Sequence, residues 1–418
     1  MEDKLLLRNA RIVLSDRITE PTSILIEGDR ITLISDAEPI PIEKHGSIVD
    51  LAGLTLFPGF IDIHIHGAVG VDTMEASTGG LLQIAEFLAS QGVTSWLPTL
   101  VPASVEQYEH AIGAITDSMT AQNWERGRPV RSPSAETVFE KRDGVSSKDL
   151  RARRPRSQLL GVHYEGPFVN SEQCGALHRE HFRTFRNLSD LDELPVINTA
   201  GAIYMMTLAP EIDGGIDLVK ELDRRGWITS IGHTRAPSAT LDQAGKAGAR
   251  HMTHFMNAMT PLHHRAPGPV GWGLLNDEIT LDMIADGIHL DPSIIKLILR
   301  SKGSERVSLI SDAIAAAGKG DGDYEIWGEK IVVKDGRTQN ARGSIAGSVI
   351  TMLNAVRLML SLGVPETEVA RMAATNPARL LGLDDRGSIA VGKRADLVAV
   401  DADLKVRATI IAGQIINY

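Results

Sequence analysis

The chain has 418 residues, 43% of them hydrophobic and 23% charged, which suits one large catalytic domain with a modest satellite. A net charge of -10 leaves no domain-wide basic surface and argues against general nucleic-acid binding. The single cysteine, Cys174, excludes an intramolecular disulfide and fits a reducing cytosol, and no apolar run is long enough to span a bilayer.

Met1-Glu2-Asp3-Lys4-Leu5-Leu6-Leu7-Arg8 has no basic segment leading into a long apolar core, so no secretory signal is expected and a cytoplasmic protein is. Residues 1 to about 56 alternate apolar and polar in short runs, Leu5 to Leu14 and Ser23 to Ile31, with Gly28-Asp29 reading as a hairpin turn. The C-terminus has the same texture in Ala395 to Asp401 and Val406 to Ile416. These ends predict one small β-sandwich domain built from 1–56 and 385–418. The middle, 57–384, alternates apolar runs (Ile197 to Leu208, Ile228 to Ile231, Leu281 to Ile284, Val307 to Ile310) with helical-period stretches such as Gly80 to Gln91, Asp213 to Arg225, Ser238 to Gly248 and Ser293 to Ser301. Strand–helix repetition over that span predicts an α/β fold, a (β/α)8 TIM-like barrel, with chemistry at the C-terminal strand ends. About 121–156 breaks the pattern: rich in Arg, Ser, Pro and Glu, it reads as a solvated insertion or mobile loop, with a lid or subunit contact as the alternative.

The polar residues fall where that barrel needs them. Leu56-Phe57-Pro58-Gly59-Phe60-Ile61-Asp62-Ile63 leads into His64-Ile65-His66, and on a strand residues i and i+2 share a face, so both imidazoles reach one ion. Further runs deliver Glu165, His233, His254, His289 and Asp312 in turn. Each alone is weak. Together, imidazoles and carboxylates at successive strand ends are the donors of a zinc-type divalent site. Such an ion activates water and polarises a carbonyl, and Asp312 is the candidate general base that takes the water proton and returns it to a departing amine.

The order His-x-His, Glu, His, His, Asp resembles the amidohydrolase superfamily. The wording His163-Tyr164-Glu165-Gly166-Pro167-Phe168, Thr207-Leu208-Ala209-Pro210-Glu211, Gly232-His233-Thr234, His254-Phe255-Met256-Asn257-Ala258-Met259 and Ile345-Ala346-Gly347-Ser348 resembles its deacetylases of N-acetylglucosamine-6-phosphate, over nearly the whole chain. The resemblance implies hydrolysis of that acetamide, with N-acetylgalactosamine-6-phosphate or another N-acyl compound as the alternative. It implies that Glu165, His233 and His254 hold the principal ion, with zinc foremost. His64 and His66 leave one or two ions per subunit open. Arg265 falls where the family has a phosphate-binding arginine, and Asn257, Ala258, Ile345, Ala346 and Gly347 match its phosphosugar contacts. His289 is implied to contact substrate, either at the acetyl oxygen or at another polar group. A homodimer with shared active-site residues is implied, with neither nucleic acid nor membrane as partner. One departure concerns the sugar: where the family reads Gly-Ala-His, this chain reads Gly175-Ala176-Leu177-His178, so Ala176, Leu177 and His178 become the candidate sugar contacts.

Overall fold

The structure, a computed structural model, describes residues 4–36, 46–126 and 156–417. Eight strands lie parallel in ring order: β1 (Phe60–Ile65), β2 (Val93–Leu100), β3 (Gly161–Glu165), β4 (Ile203–Leu208), β5 (Ile228–Ile231), β6 (His251–Met252), β7 (Thr280–Ile284) and β8 (Val307–Ile310). The ring closes where Ile65 bridges Ala313 and the Asp312 amide donates to the His64 carbonyl at 2.9 Å. Every residue of β1, β2, β3 and β8 is buried, as expected of parallel strands covered on both faces. Each fully buried Leu, Ile or Phe contributes about 1.5–3 kcal/mol, so the barrel core is the main source of stability.

Helices pack outside the ring. Between β1 and β2 lies α1 (Thr78–Ser90), which starts where Ser77 Oγ accepts the Gly80 amide and buries Leu81, Ile84 and Leu88. Between β2 and β3 lies α2 (Val105–Arg126). The expected insertion from 121 therefore starts late. Tyr108, Ala111, Ile112, Ile115 and Met119 form one buried face, and Gln122 extends it by bonding Ser157 and Leu159. The rest of that segment, 127–155, lies outside the described residues. The expected run Ile197 to Leu208 is also shorter, because Thr199 to Ala202 form a turn at Gly201 (φ +79°) and only Ile203–Leu208 is strand.

Both termini build a separate sheet. Its strand order is Gln414–Asn417, Val406–Ile411, Leu397–Val400, Thr55–Pro58, Lys4–Ile12, Thr22–Glu27 and Arg30–Ser35, with Ser47–Asp50 also paired to Lys4–Ile12. Its core unites Leu7, Ile24 and Ile26 with Leu397 and Ile410. The Glu27–Arg30 pairing puts the tight turn at Gly28-Asp29. Arg386 and Arg394 tie this sheet to the barrel by sharing Gln158 Oε1 at 2.7 and 2.6 Å. A third sheet, Gly322–Ile326, Glu329–Lys334 and Arg337–Asn340, follows β8 and was not foreseen from the sequence. Among the described residues, no helix is long and apolar enough to cross a membrane.

Candidate functional site

Six side chains converge at the C-terminal mouth of the ring. Glu165 ends β3, and His64 and His66 come from the end of β1. His233, His254 and Asp312 each stand two residues beyond β5, β6 and β8, at φ +48°, +32° and +49°. Left-handed backbone is uncommon outside glycine and concentrates at functional sites. All six are buried.

The donor atoms form two groups that share Glu165. Nε2 of His233 and of His254 both lie 2.9 Å from Glu165 Oε1 and 3.1 Å from each other. Nε2 of His64 and of His66 lie 3.1 Å apart, at 3.7 Å from Glu165 Oε1 and 3.3 Å from Oε2 respectively. Asp312 Oδ1 stands 3.3 and 3.2 Å from the same two nitrogens. A tetrahedral ion at ~2.0–2.1 Å from each ligand spaces its ligands about 3.3 Å apart, so both groups fit a small divalent cation.

The electrostatics point the same way. Burial works to raise Glu165, yet the charge of His64 and hydrogen bonds from His233 and His254 hold it well below the usual carboxylate range. Asp312 is lowered too, its burial outweighed by His64 and His66. Burial works to lower His66, but Asp312 and Glu165 push it up to about 10, and Glu165 likewise lifts His254 to about 9. Two buried carboxylates thus draw positive charge to this point, which a divalent ion supplies.

Surrounding groups aim the ligands. His233 Nδ1 donates to the Gln173 carbonyl at 2.7 Å, which leaves its Nε2 lone pair free for a metal. Asp282, within β7, accepts the His254 amide at 2.5 Å and pairs with His251 Nε2 at 2.9 Å. Asp62, within β1, accepts from Ser311 Oγ at 2.6 Å beside Asp312, and burial pushes it up to about 6.

A cavity of about 320 Å³ opens onto this cluster. Of the sequence-predicted substrate residues, Ala176, Leu177, Asn257, Ala258, His289, Ile345 and Gly347 line it. His289 is fixed by Asp286, 2.6 Å from its Nδ1. At Gly347 (φ +54°) a Cβ would come within 2.7 Å of Ile314 and 2.9 Å of the Asp312 carbonyl, so only glycine fits this wall. Three candidates lie elsewhere. Ala346 is buried behind the wall, and His178 faces Glu180 and Glu329 at 3.3 and 3.5 Å, held outside the lining by that acidic pair. Arg265 is exposed with His263 and His264 on 261–267 and is not among the residues lining the cavity.

Sequence reasoning missed Trp327, which lines the cavity with its ring edge-on to His66, centroids 5.2 Å apart. It sits at φ +56° in a two-residue turn with Gly328. Asp335-Gly336, the next turn of the same sheet, was the available hairpin signal. Asp62 and Asp282 also carried a signal, each a lone acid inside an apolar run.

A closed parallel barrel with imidazoles and carboxylates gathered at its C-terminal mouth is the framework of a metal-dependent hydrolase. The chain belongs to the amidohydrolase family, which matches residues 55–416. It is 36% identical to an N-acetylglucosamine-6-phosphate deacetylase of Bacillus subtilis, covering 99% of this chain and 98% of that protein. It is 35% identical to an N-acetylgalactosamine-6-phosphate deacetylase of Escherichia coli O157:H7, covering 92% and 93%. A Mycobacterium smegmatis N-acetyl-D-glucosamine-6-phosphate deacetylase, solved as a mutant in complex with N-acetyl-D-glucosamine-6-phosphate, superposes with TM-score 0.84 at 29% identity over 100% of both chains.

Proposed function

We propose that this chain hydrolyses the acetamide of N-acetylglucosamine-6-phosphate to glucosamine-6-phosphate and acetate. The observation that carries the reading is the pair of His–Glu groups sharing Glu165 at the floor of a cavity of about 320 Å³. Glu165, His233 and His254 hold the principal ion, and His64 and His66 with Glu165 hold a second where one binds. The nitrogen and oxygen donors favour zinc. A divalent ion held there makes water nucleophilic near neutral pH and polarises the amide carbonyl.

The chain's own groups do the rest. Asp312, whose carboxyl is held below its usual range, accepts the proton of the attacking water and hands it to the leaving amine. His289, braced by Asp286, holds a polar group of the substrate, and Asn257, Ala258 and the 345–347 wall cradle the sugar. Arg265 lies outside the cavity of its own subunit, so its phosphate contact is made in the neighbouring subunit of a homodimer. The enzyme works in the cytoplasm, consistent with its free thiol at Cys174.

The test is acetate release from the 6-phosphates of N-acetylglucosamine, N-acetylgalactosamine and N-acetylmannosamine, with metal analysis of the same sample. Highest kcat/KM on the first is expected. Highest kcat/KM on the second would favour the galactosamine reading, to which the 35% identical relative lends weight. Arg265→Ala should raise KM at least ~10-fold, since a guanidinium–phosphate pair is a strong charge-assisted contact. An unchanged KM in that variant would remove the phosphosugar assignment.

A further inference from the structure

One motif takes no part in the reading above, Thr207-Leu208-Ala209-Pro210-Glu211. Its last residue is where three loops of the mouth meet. Glu211 Oε1 accepts from Asn170 Nδ2 at 2.8 Å and from the Arg235 amide at 2.6 Å, and Oε2 accepts from Thr234 Oγ1 at 2.6 Å. Asn170 belongs to the loop that follows Glu165, whereas Thr234 and Arg235 directly follow His233.

Two routes run from Glu211 to His233. The first holds the backbone just beyond it, through Thr234 and Arg235. The second holds its ring: Asn170 Oδ1 accepts the Glu172 amide at 2.9 Å and so caps the short turn that ends at Gln173. The Gln173 carbonyl takes the Nδ1 proton of His233, and the Asn170 amide donates to the His233 carbonyl at 3.1 Å. His233 sits in a left-handed conformation that persists only where its surroundings over-determine it. The network also reaches the cavity wall. The Thr234 amide donates to the Ala258 carbonyl at 3.2 Å, and the Thr260 amide donates to the Thr234 carbonyl at 3.2 Å.

We propose that Glu211 is a positioning residue that clamps His233 as a metal ligand and couples it to the substrate wall at Ala258. The proposal rests on the reading of His233 as a ligand. Glu211 belongs to neither donor group and is not among the residues lining the cavity; it acts through Thr234, Arg235 and Asn170.

The test measures the zinc Kd of the full chain by competition with a chromophoric chelator, alongside KM and melting temperature. Groups that orient a ligating histidine are typically worth about 10–100-fold in metal affinity, so Glu211→Ala should weaken zinc by that factor and raise KM as well. Thr234→Val keeps the side-chain shape, removes the hydrogen bond to Glu211 together with the one Oγ1 accepts from the Ala236 amide, and should shift Kd the same way by less. Because both changes act on one network, the double variant should lose less than the two separate losses combined. A residue that only stabilises the fold would lower the melting temperature and leave zinc affinity alone. Zinc Kd within about twofold of the unsubstituted chain in both folded variants, far short of that range, overturns the clamp. If Glu211→Ala does not fold, Thr234→Val alone decides in the same way. Failure of the unsubstituted chain to bind zinc overturns the ligand reading of His233, and the clamp with it.

Discussion

Replacing Asp312 by Asn separates the acid–base step from ion binding. The backbone at this position is held without help from the carboxylate: the Asp312 amide donates to the His64 carbonyl at 2.9 Å, and its carbonyl accepts the Ser348 amide at 2.7 Å. Its φ of +49° lies in the region that Asn tolerates as well as Asp. Asparagine therefore fills the same place with the same shape. It loses the ionised oxygen that now stands 3.3 and 3.2 Å from Nε2 of His64 and His66. Glu165, His233 and His254 make their contacts without Asp312, so ion binding at that group should survive. The loss falls on turnover. A positioned general base contributes about 10²–10⁴ in rate, or ~2.7–5.5 kcal/mol of barrier at ~1.36 kcal/mol per tenfold. Steady-state acetate release with zinc analysis of the same preparation measures both quantities. Zinc retained with kcat down at least ~100-fold is expected. A kcat close to that of the unsubstituted chain would refute Asp312 as the base, and loss of the principal ion would refute the separation of roles.

Glu165→Gln should empty both donor groups, because Glu165 Oε1 or Oε2 belongs to each; zinc content and activity should fall together, and one ion retained at full affinity would contradict the shared carboxylate. A pH test comes from Lys302, buried with its Nζ donating to the Gly273 carbonyl at 2.8 Å and to the Asn276 carbonyl. Burial, reinforced by Arg306, brings Lys302 down to about 8 from 10.5. The unfolded chain thus binds the proton more tightly than the folded one. The charged form opposes folding below about 8, and stability is regained as pH rises from about 8 to 10.5. Relative to Lys302→Met, whose lost hydrogen bonds give a pH-independent offset, the unsubstituted chain should gain up to about 3 kcal/mol across that window in urea unfolding. A flat difference between pH 8 and 10.5 would show that Lys302 does not titrate there.

Much of this site was legible because parallel barrel strands are apolar along their length and turn polar only where they reach the mouth. Ile228 to Ile231 and Val307 to Ile310 matched β5 and β8, so the next polar side chains, His233 and Asp312, announced themselves. His254 was harder, since β6 is only His251–Met252 and gives no periodicity to read; there the local wording carried the reading. What stayed hidden depends on contacts between segments far apart in sequence. Trp327 reaches the cavity only because the sheet after β8 folds back to the mouth, and no local pattern says so. Arg265 matched the family's phosphate-binding position by its spacing, yet it is exposed and not among the residues lining the cavity, which spacing along the chain could not foretell.

The recurrence of left-handed backbone at His233, His254 and Asp312 explains how so many donors meet at one point. A strand that simply continued would carry its side chains past the barrel axis. Each of these chains instead runs one residue beyond its strand, through Gly232, Thr253 or Ser311, and then turns left-handed, which brings the next side chain over the mouth. Each such residue costs of order 1–3 kcal/mol, so the turns need anchors. They have them: Thr253 Oγ1 bonds Thr207 Oγ1 at 2.7 Å and Ser230 Oγ at 2.5 Å, Ser311 Oγ donates to Asp62, and Glu211 holds the residues after His233. At Gly232, a Cβ would come within 2.6 Å of Thr207 Cγ2, so the approach of β5 to β4 demands glycine there. The polar residues buried beneath the mouth thus serve geometry first. They fix three strained turns that bring His233, His254 and Asp312 to one point over the mouth.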